Sequence, residues 1–340
     1  MSGTIVHAPD DLGDLIHALP ALDAVPDTDV LVPRLLAPLL VIGLPERGIL
    51  PLEPGARGRA RALEQLRPRR YVRGILLTRS FSSALLLALA GVPERVGGAT
   101  ERRRLLLTHA VPQSELAGKH RAEEFYRVAT GALPVRPPIP QLRLPVGLRR
   151  LAGELIGGGP QPVVAILPGA GTASRIWDAD RFAALARRLR NLGARVVVLG
   201  GPDEIALTRR VAGEWAMDLG GRTDLPLLAA VLATCHVVIV SDSGPLHLAA
   251  AVGAATVSLW GAGDPSITGP RGGTSALVRH TELPCVPCVR DECPRRGRGY
   301  ILPDAKRECM RLIDVDAVFA QAVRVLDSVS SAPDRGEANV

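Results

Sequence analysis

The chain has almost no lysine: of its 41 basic residues only Lys119 and Lys306 are lysine, and the rest are arginine. Aromatic residues make up 3% of it, too few for the stacking platforms that hold single-stranded nucleic acid. No nucleic-acid recognition motif is present, so the formal net charge of +7 is not read as a nucleic-acid footprint. With abundant alanine, glycine and proline, the arginine excess reads first as a compositional bias. Long apolar runs are also missing. "ALLLALAGV" falls far short of the roughly 20 residues of a membrane span, which leaves at most peripheral membrane contact. The opening "MSGTIVHAPDD" is acidic and has no apolar h-region, so a cytoplasmic location is expected.

What is present is organised. At 340 residues, 47% of them hydrophobic, the chain can bury two cores. Strand-like runs at Asp29–Pro33 and Tyr71–Thr78 alternate with helical stretches such as Ser82–Gly91. Such alternation predicts a parallel sheet with helices on both faces. Ala132–Gly147 holds five prolines in sixteen residues and reads as an interdomain linker. The same alternation then restarts with "PVVAILPGAG", "DADRFAALARRLRNLG", "ARVVVLGGPDE", "TDLPLLAAVLATC" and "HVVIVSDSG". We therefore expect an α/β chain with a first domain over 1–145 and a second over 146–312. A closing amphipathic helix over 313–329 would pack back on the first domain, ahead of a flexible tail over 330–340. In open parallel sheets ligands bind beyond the carboxyl ends of the strands, at the point where strand order reverses.

Four strand-end turns carry chemistry. Asp242-Ser243-Gly244-Pro245 lies between an apolar strand and a helix that bears His247. An acid or hydroxyl can cap that helix, and proline suits its first turn. Gly244 and His247 are left over by that reading, and a small-residue turn at a helix N-terminus is a phosphate site. Leu167–Phe182 is a second turn, with glycines, small hydroxyls and Arg175; a guanidinium there can neutralise a diphosphate, whereas Trp177 reads as packing. At Gly200–Glu204, Asp203 or Glu204 can accept from a ribose hydroxyl or simply cap the following helix. Around Gly13, the carboxylates of Asp10, Asp11 and Asp14 crowd one turn. Capping uses one or two of them, and one facing a ligand can serve as a general base. His17 reads as structural.

Four of the five cysteines, Cys285, Cys288, Cys293 and Cys309, follow a C-x2-C-x4-C-x15-C spacing. In a cytosolic chain a disulfide is not expected. The cluster reads first as reduced, packed thiols and second as a structural zinc site.

Taken together, "LGDLIHALPAL", "RSFSSALLLALAGVPERVGGATERRRLLLTHAV", "GRTDLPLLAAVLATCHVVIVSDSGPLHLAAAVGAATVSLWGAGDPSITGP" and the C-terminal "CVPC…CM" resemble glycosyltransferase family 9, the ADP-heptose:lipopolysaccharide heptosyltransferases. The resemblance spans nearly the whole chain. It implies a GT-B fold, two Rossmann-like doubly wound domains facing across a cleft. It also implies inverting transfer of heptose from ADP-heptose to a hydroxyl of a glycan or small-molecule acceptor, with no metal required for catalysis. On this resemblance Asp14 is the base, and Arg175 stands where the family usually has a lysine on the diphosphate. Gly171, Thr172, Asp242, Ser243, Gly244 and His247 match donor-binding positions, and Glu204 falls near a ribose contact. Arg79, Arg102 and Arg103, with Arg104 beside them, would meet a charged acceptor. Two rival readings remain at this stage: another GT-B enzyme such as a nucleotide-sugar epimerase, and a non-catalytic nucleotide- or metal-binding protein.

Overall fold

Nearly continuous apolar runs rich in β-branched residues, such as Val163–Leu167 and Val237–Ser241, are what strands buried on both faces require, and each leads into a helix. The computed structural model describes residues 3–100, 102–293 and 307–331. Its contacts divide into two units, Met1–Arg143 and Leu144–Val340, two residues ahead of the boundary read from the sequence.

The first unit runs β1 (Thr4–His7), α1 (Leu12–Asp23), β2 (Thr28–Pro33), α2 (Ala37–Gly43), β3 (Ile49–Leu52), α3 (Gly55–Leu66), β4 (Arg73–Leu76), α4 (Phe81–Leu89), β5 (Glu94–Gly98), β6 (His109–Val111), α5 (Gln113–Leu116) and α6 (Arg121–Thr130). Its sheet has the order β3-β2-β1-β4-β5-β6, parallel throughout. The second unit runs α7 (Val146–Ile156), β7 (Val163–Leu167), α8 (Ala179–Asn191), β8 (Arg195–Val198), α9 (Ile205–Ala212), β9 (Met217–Asp218), α10 (Leu225–Thr234), β10 (Val237–Ser241), α11 (Gly244–Ala251), β11 (Ala255–Trp260), α12 (Pro265–Thr268), β12 (Ser275–Arg279), α13 (Glu308–Arg311) and α14 (Val315–Ser330). Its sheet order is β12-β11-β10-β7-β8-β9, again all parallel. Counted within each unit, both sheets follow the doubly wound order 3-2-1-4-5-6. The reversal points lie between β1 and β4 in the first unit and between β7 and β10 in the second. Two such units make this an α/β chain of the GT-B class.

The proline-rich segment has neither helix nor strand up to Pro145. It is nonetheless packed. Leu142 and Leu144 are buried, and a Cβ on Gly43 would stand 2.5 Å from Leu142 Cδ1, so α2 ends on a glycine to let this segment close in.

The last helix departs from expectation. α14 packs on α8 and on β10, β11 and β12 of the second unit, whereas it was expected on the first domain. Its buried stripe, Val318, Ala322, Val325, Leu326 and Val329, recurs at helical spacing and joins the core that holds Trp177, Phe182 and Leu185. The approach is fixed by polar groups as well. Trp177 Nε1 donates to the Ile313 carbonyl at 2.9 Å, and the Arg188 guanidinium lies 4.3 Å over the Phe319 ring. Trp177, edge-on to Phe182 at 4.7 Å, is thus the packing residue expected. Ser330 closes α14, and positions 332–340 of the tail lie outside the described residues.

Candidate functional site

In the first unit the functional side chains gather where α1 and α6 meet beyond the carboxyl end of β1. The three acids of the first turn separate by role. Asp11 is the N-cap, its carboxylate accepting from the Asp14 N–H at 2.8 Å, and Asp10 is exposed. Asp14, already in the helix, is left with a free hand, and Arg121 takes it: Nε lies 3.0 Å from Asp14 Oδ1. Arg121 also donates through Nη1 to Glu124 at 2.8 Å. Glu124 in turn accepts from Arg79 Nη2 at 2.7 Å. The result is a chain Asp14–Arg121–Glu124–Arg79 that ties the β1 and β4 strand ends together at the reversal point.

α6 starts where it does because His120 caps it, Nδ1 accepting from the Ala122 N–H at 3.2 Å. The His120 ring meets that of His17 edge-on, 5.1 Å between centroids, so His17 has the structural role expected. Burial pushes the Asp14 carboxyl up to about 7; Arg121 pulls it back down, and Asp11 and Glu124 raise it further. A carboxylate poised there suits general-base work near neutral pH. Arg121 and Glu124 were not found from the sequence. The only signal is a helix start dense in charge, "KHRAEEF", which names no partner.

In the second unit Arg175, after β7, and Asp242, after β10, flank the other reversal point. They meet: Arg175 Nε lies 3.3 Å from Asp242 Oδ2. Asp242 is 2% exposed; burial raises its carboxyl and Arg175 lowers it. A Cβ on Gly263 would fall 2.0 Å from Asp242 Oδ2, so only glycine lets the β11–α12 turn pass that carboxylate. Ser243 stands at the N-cap of α11 but gives it no side-chain cap, its hydroxyl donating instead to the Ser241 carbonyl at 3.1 Å. The first-turn amides of α11 thus point their partial positive charge away from the sheet. The buried Ser241 Oγ has no hydrogen-bond partner among the described residues. His247, nearly buried, follows one turn on.

Gly171 is exposed with open space around it, and Thr172 lies beside Ser174, hydroxyl to hydroxyl at 3.3 Å. Glu204 accepts from the Gly201 N–H at 2.9 Å, which is the capping alternative. Its carboxylate also lies against the end of β7, where a Cβ on Gly169 would stand 1.7 Å from Oε1.

The expected acceptor arginines divide. Arg102 is exposed and Arg79 is engaged by Glu124. Arg103 is a correction. It is 1% exposed, with Nε donating to the Gly98 carbonyl at 2.8 Å and Nη1 to the Thr78 carbonyl. Gly97 and Gly98 leave the room for it. It pins the ends of β4 and β5 rather than facing a ligand, and it helps to hold buried His7 neutral, down at about 4, although burial is the larger cause. Arg103→Gln is expected to lower stability by about 1–3 kcal/mol, the cost of unpaired buried carbonyls, with the acceptor KM unchanged; urea melts and steady-state kinetics check both.

The four clustered cysteines are free thiols that line one small cavity of about 20 Å³. Burial first, then the neighbouring thiols, push Cys309 up to about 11, and Cys309 packs with Met310 against Gly261. Among the described residues no group of three or more His, Cys, Asp or Glu is placed to hold a metal ion, so the zinc expectation gains no support from this geometry. Among the same residues no helix is long and apolar enough to cross a membrane.

Comparison with known proteins meets this geometry. A family model for glycosyltransferase family 9 (heptosyltransferase) matches residues 59–297. Lipopolysaccharide heptosyltransferase 2 of Salmonella typhimurium is 31% identical over 274 residues, covering 74% of this chain and 78% of the relative. The solved E. coli ADP-heptose lipopolysaccharide heptosyltransferase II superposes with a TM-score of 0.81 at 24% identity, covering 97% of this chain and all of that one. The E. coli heptosyltransferase WaaC, solved with ADP, gives 0.69 at 17%, covering 95% of this chain and 99% of that one. With 239 of its residues under the family model and this degree of kinship, the chain belongs to glycosyltransferase family 9, the heptosyltransferases, and is a glycosyltransferase.

Proposed function

We propose that the enzyme transfers heptose, with inversion, from ADP-heptose to a hydroxyl of a glycan or small-molecule acceptor. The observation that carries this reading is the pairing of Arg175 with Asp242 at the reversal point of the second unit. Asp242 sets the guanidinium beside the uncapped N-terminus of α11. Together with His247, that helix end and Arg175 offer positive charge and donors where a diphosphate needs them. Glu204, at the neighbouring strand end, is the ribose acceptor, and Gly171 and Thr172 line the approach to the phosphates.

In the first unit Asp14 takes the proton of the acceptor hydroxyl. The oxygen so freed bonds to the anomeric carbon from the face opposite the nucleotide. The bond between that carbon and the phosphate oxygen breaks, and ADP leaves with the electron pair. Charge develops on the diphosphate in the transition state, and pre-placed donors are most effective there. The chemistry needs no metal where Arg175 and the helix end meet that charge. Arg102 and Arg79 stand on the acceptor side. The lipopolysaccharide named for the relatives supports a glycan acceptor.

Calorimetric titration with ADP, GDP, UDP and a nicotinamide dinucleotide tests the donor half. ADP is expected to bind in preference to the others, and Arg175→Ala to weaken it by about 1.5–3 kcal/mol, the worth of a charge-assisted hydrogen bond. Equal affinity for the other nucleotides, or an unaffected variant, overturns the donor assignment.

A further inference from the structure

The turn over residues 171–176, which carries Arg175, has little of its own to hold it. Of these six residues only Ser174 is buried, at 2% exposure. Ile176 is 39% exposed, and Gly171 has open space around it. An arginine on so thinly packed a turn is costly to order, and a diphosphate is met well only by a group already in place. The neighbours of Arg175 are nonetheless fastened, all of them to residues that follow β12. Ser174 makes two bonds there: its N–H donates to the Asp291 carbonyl at 3.0 Å and its hydroxyl to the Arg290 carbonyl at 2.6 Å. The Ile176 carbonyl accepts from Arg307 Nη1 at 3.1 Å, and the Trp177 indole donates to the Ile313 carbonyl.

The same stretch reaches the other half of the ion pair. The Val289 N–H donates to the Ala262 carbonyl at 2.8 Å. Val289 does so at φ +51°, in the left-handed region that β-branched residues avoid. Ala262 lies between Gly261, against which Cys309 and Met310 pack, and Gly263, which passes the Asp242 carboxylate. Residues 289–291 therefore bridge the turn that carries Arg175 and the turn that backs Asp242. Cys285, Cys288, Cys293 and Cys309 share one small cavity with Ser174 and Ala262, so the bridge and both turns close on a single packed centre.

We propose that Ser174 is a positioning residue for glycosyl transfer: it fastens the Arg175 turn to residues 290–291 and so sets the guanidinium against Asp242, ready for a diphosphate. The proposal rests on the donor site proposed above. Ser174 is too deeply buried to be a ligand contact, and its hydroxyl hydrogen is already given to Arg290. The same oxygen lies 3.3 Å from the Thr172 hydroxyl, and the Arg175 N–H donates to the Thr172 carbonyl at 3.2 Å. One hydroxyl thus stands between the bridge and both donor-side residues of the turn, and it acts through them.

A double-mutant cycle on the full chain, read by ADP titration and by the donor KM, tests this role. Ser174→Ala keeps the amide bond and loses the hydroxyl. It is expected to weaken ADP about three- to tenfold, the reach of one hydrogen bond, and to raise the donor KM by the same factor with the acceptor KM unchanged. In an Arg175→Ala background the same change is expected to do nothing further, because the group it positions is gone. Ser174→Thr keeps the hydroxyl, the cavity beside it takes the added methyl, and wild-type affinity is expected. A serine that only supported the fold would weaken ADP equally in both backgrounds and lower the thermal melt in step. That additive result overturns the proposal, as does wild-type affinity in Ser174→Ala. An Arg175→Ala variant that binds ADP like wild type removes the donor site itself, and the role of Ser174 with it.

Discussion

Asp14→Asn is expected to lower kcat by about two to four orders of magnitude, the worth of a positioned general base, and to leave ADP binding unchanged. Asparagine keeps the size and the contact with Arg121 but cannot take a proton. The wild-type rate is expected to rise with pH through about 7, because burial holds the carboxyl that high and only its ionised form is competent. The two charges on α6 pull the profile in opposite senses. Arg121→Met removes what lowers the Asp14 carboxyl and moves the limb to higher pH; Glu124→Gln removes what raises it and moves the limb down. A structural role alone would shift no limb. Stability carries the opposite sign. A carboxyl raised in the folded state contributes stability at low pH that is lost as pH climbs from about 4 through about 7. The melting temperature of Asp14→Asn should therefore gain on wild type across that window. Retention of a tenth or more of wild-type kcat, with an unmoved pH profile, would place the base elsewhere.

Arg175→Ala is expected to lower kcat/KM by about 10²–10³, as loss of one pre-placed charge at a developing oxyanion does. It also strands Asp242. That carboxylate is 2% exposed and its ion pair is the one with Arg175, so removing one partner is expected to cost about 3–5 kcal/mol at neutral pH and less under acid, where Asp242 takes a proton. Arg175→Ala with Asp242→Asn separates the two roles. Stability should return, since no buried charge is left unpaired, while activity stays low. Arg175→Lys should keep part of the activity, as a point charge without the guanidinium fork. Urea melts beside steady-state kinetics read both. Full activity in the double variant would remove Arg175 from the reaction.

The doubly wound character was most legible where β7 and β10 are nearly unbroken apolar runs followed by glycine-bearing turns. β3 contains Pro51, β5 ends in two glycines, and β6 and β9 are three and two residues long. Such pieces lack the length for a periodic signal and become strands only because a neighbour pairs with them. At the site, the turn around Gly13 showed three acids with one chemistry. Only the fold shows that Asp11 caps and Asp14 does not. Its partner Arg121 is 107 positions away, and no local pattern reports so distant a contact. Arg103 misled for the same reason: in sequence it sits among arginines that read as surface, and the glycines that admit it belong to β5. The last helix was assigned to the wrong unit because amphipathicity tells that a face is covered, not by what.

That helix has a consequence for how the polypeptide is made. Trp177 and the Ile313 carbonyl it donates to are 136 positions apart, and the stripe that covers β10–β12 is translated after all of them. At about 5–20 residues per second on a ribosome, the apolar floor beneath α14 stays uncovered for roughly 7–30 seconds after Trp177 has been added. During that interval the nascent second half exposes Phe182, Leu185 and the β10–β11 core to solvent. That uncovered floor is the aggregation-prone stretch of the nascent chain, whereas the first half already has every strand of its sheet.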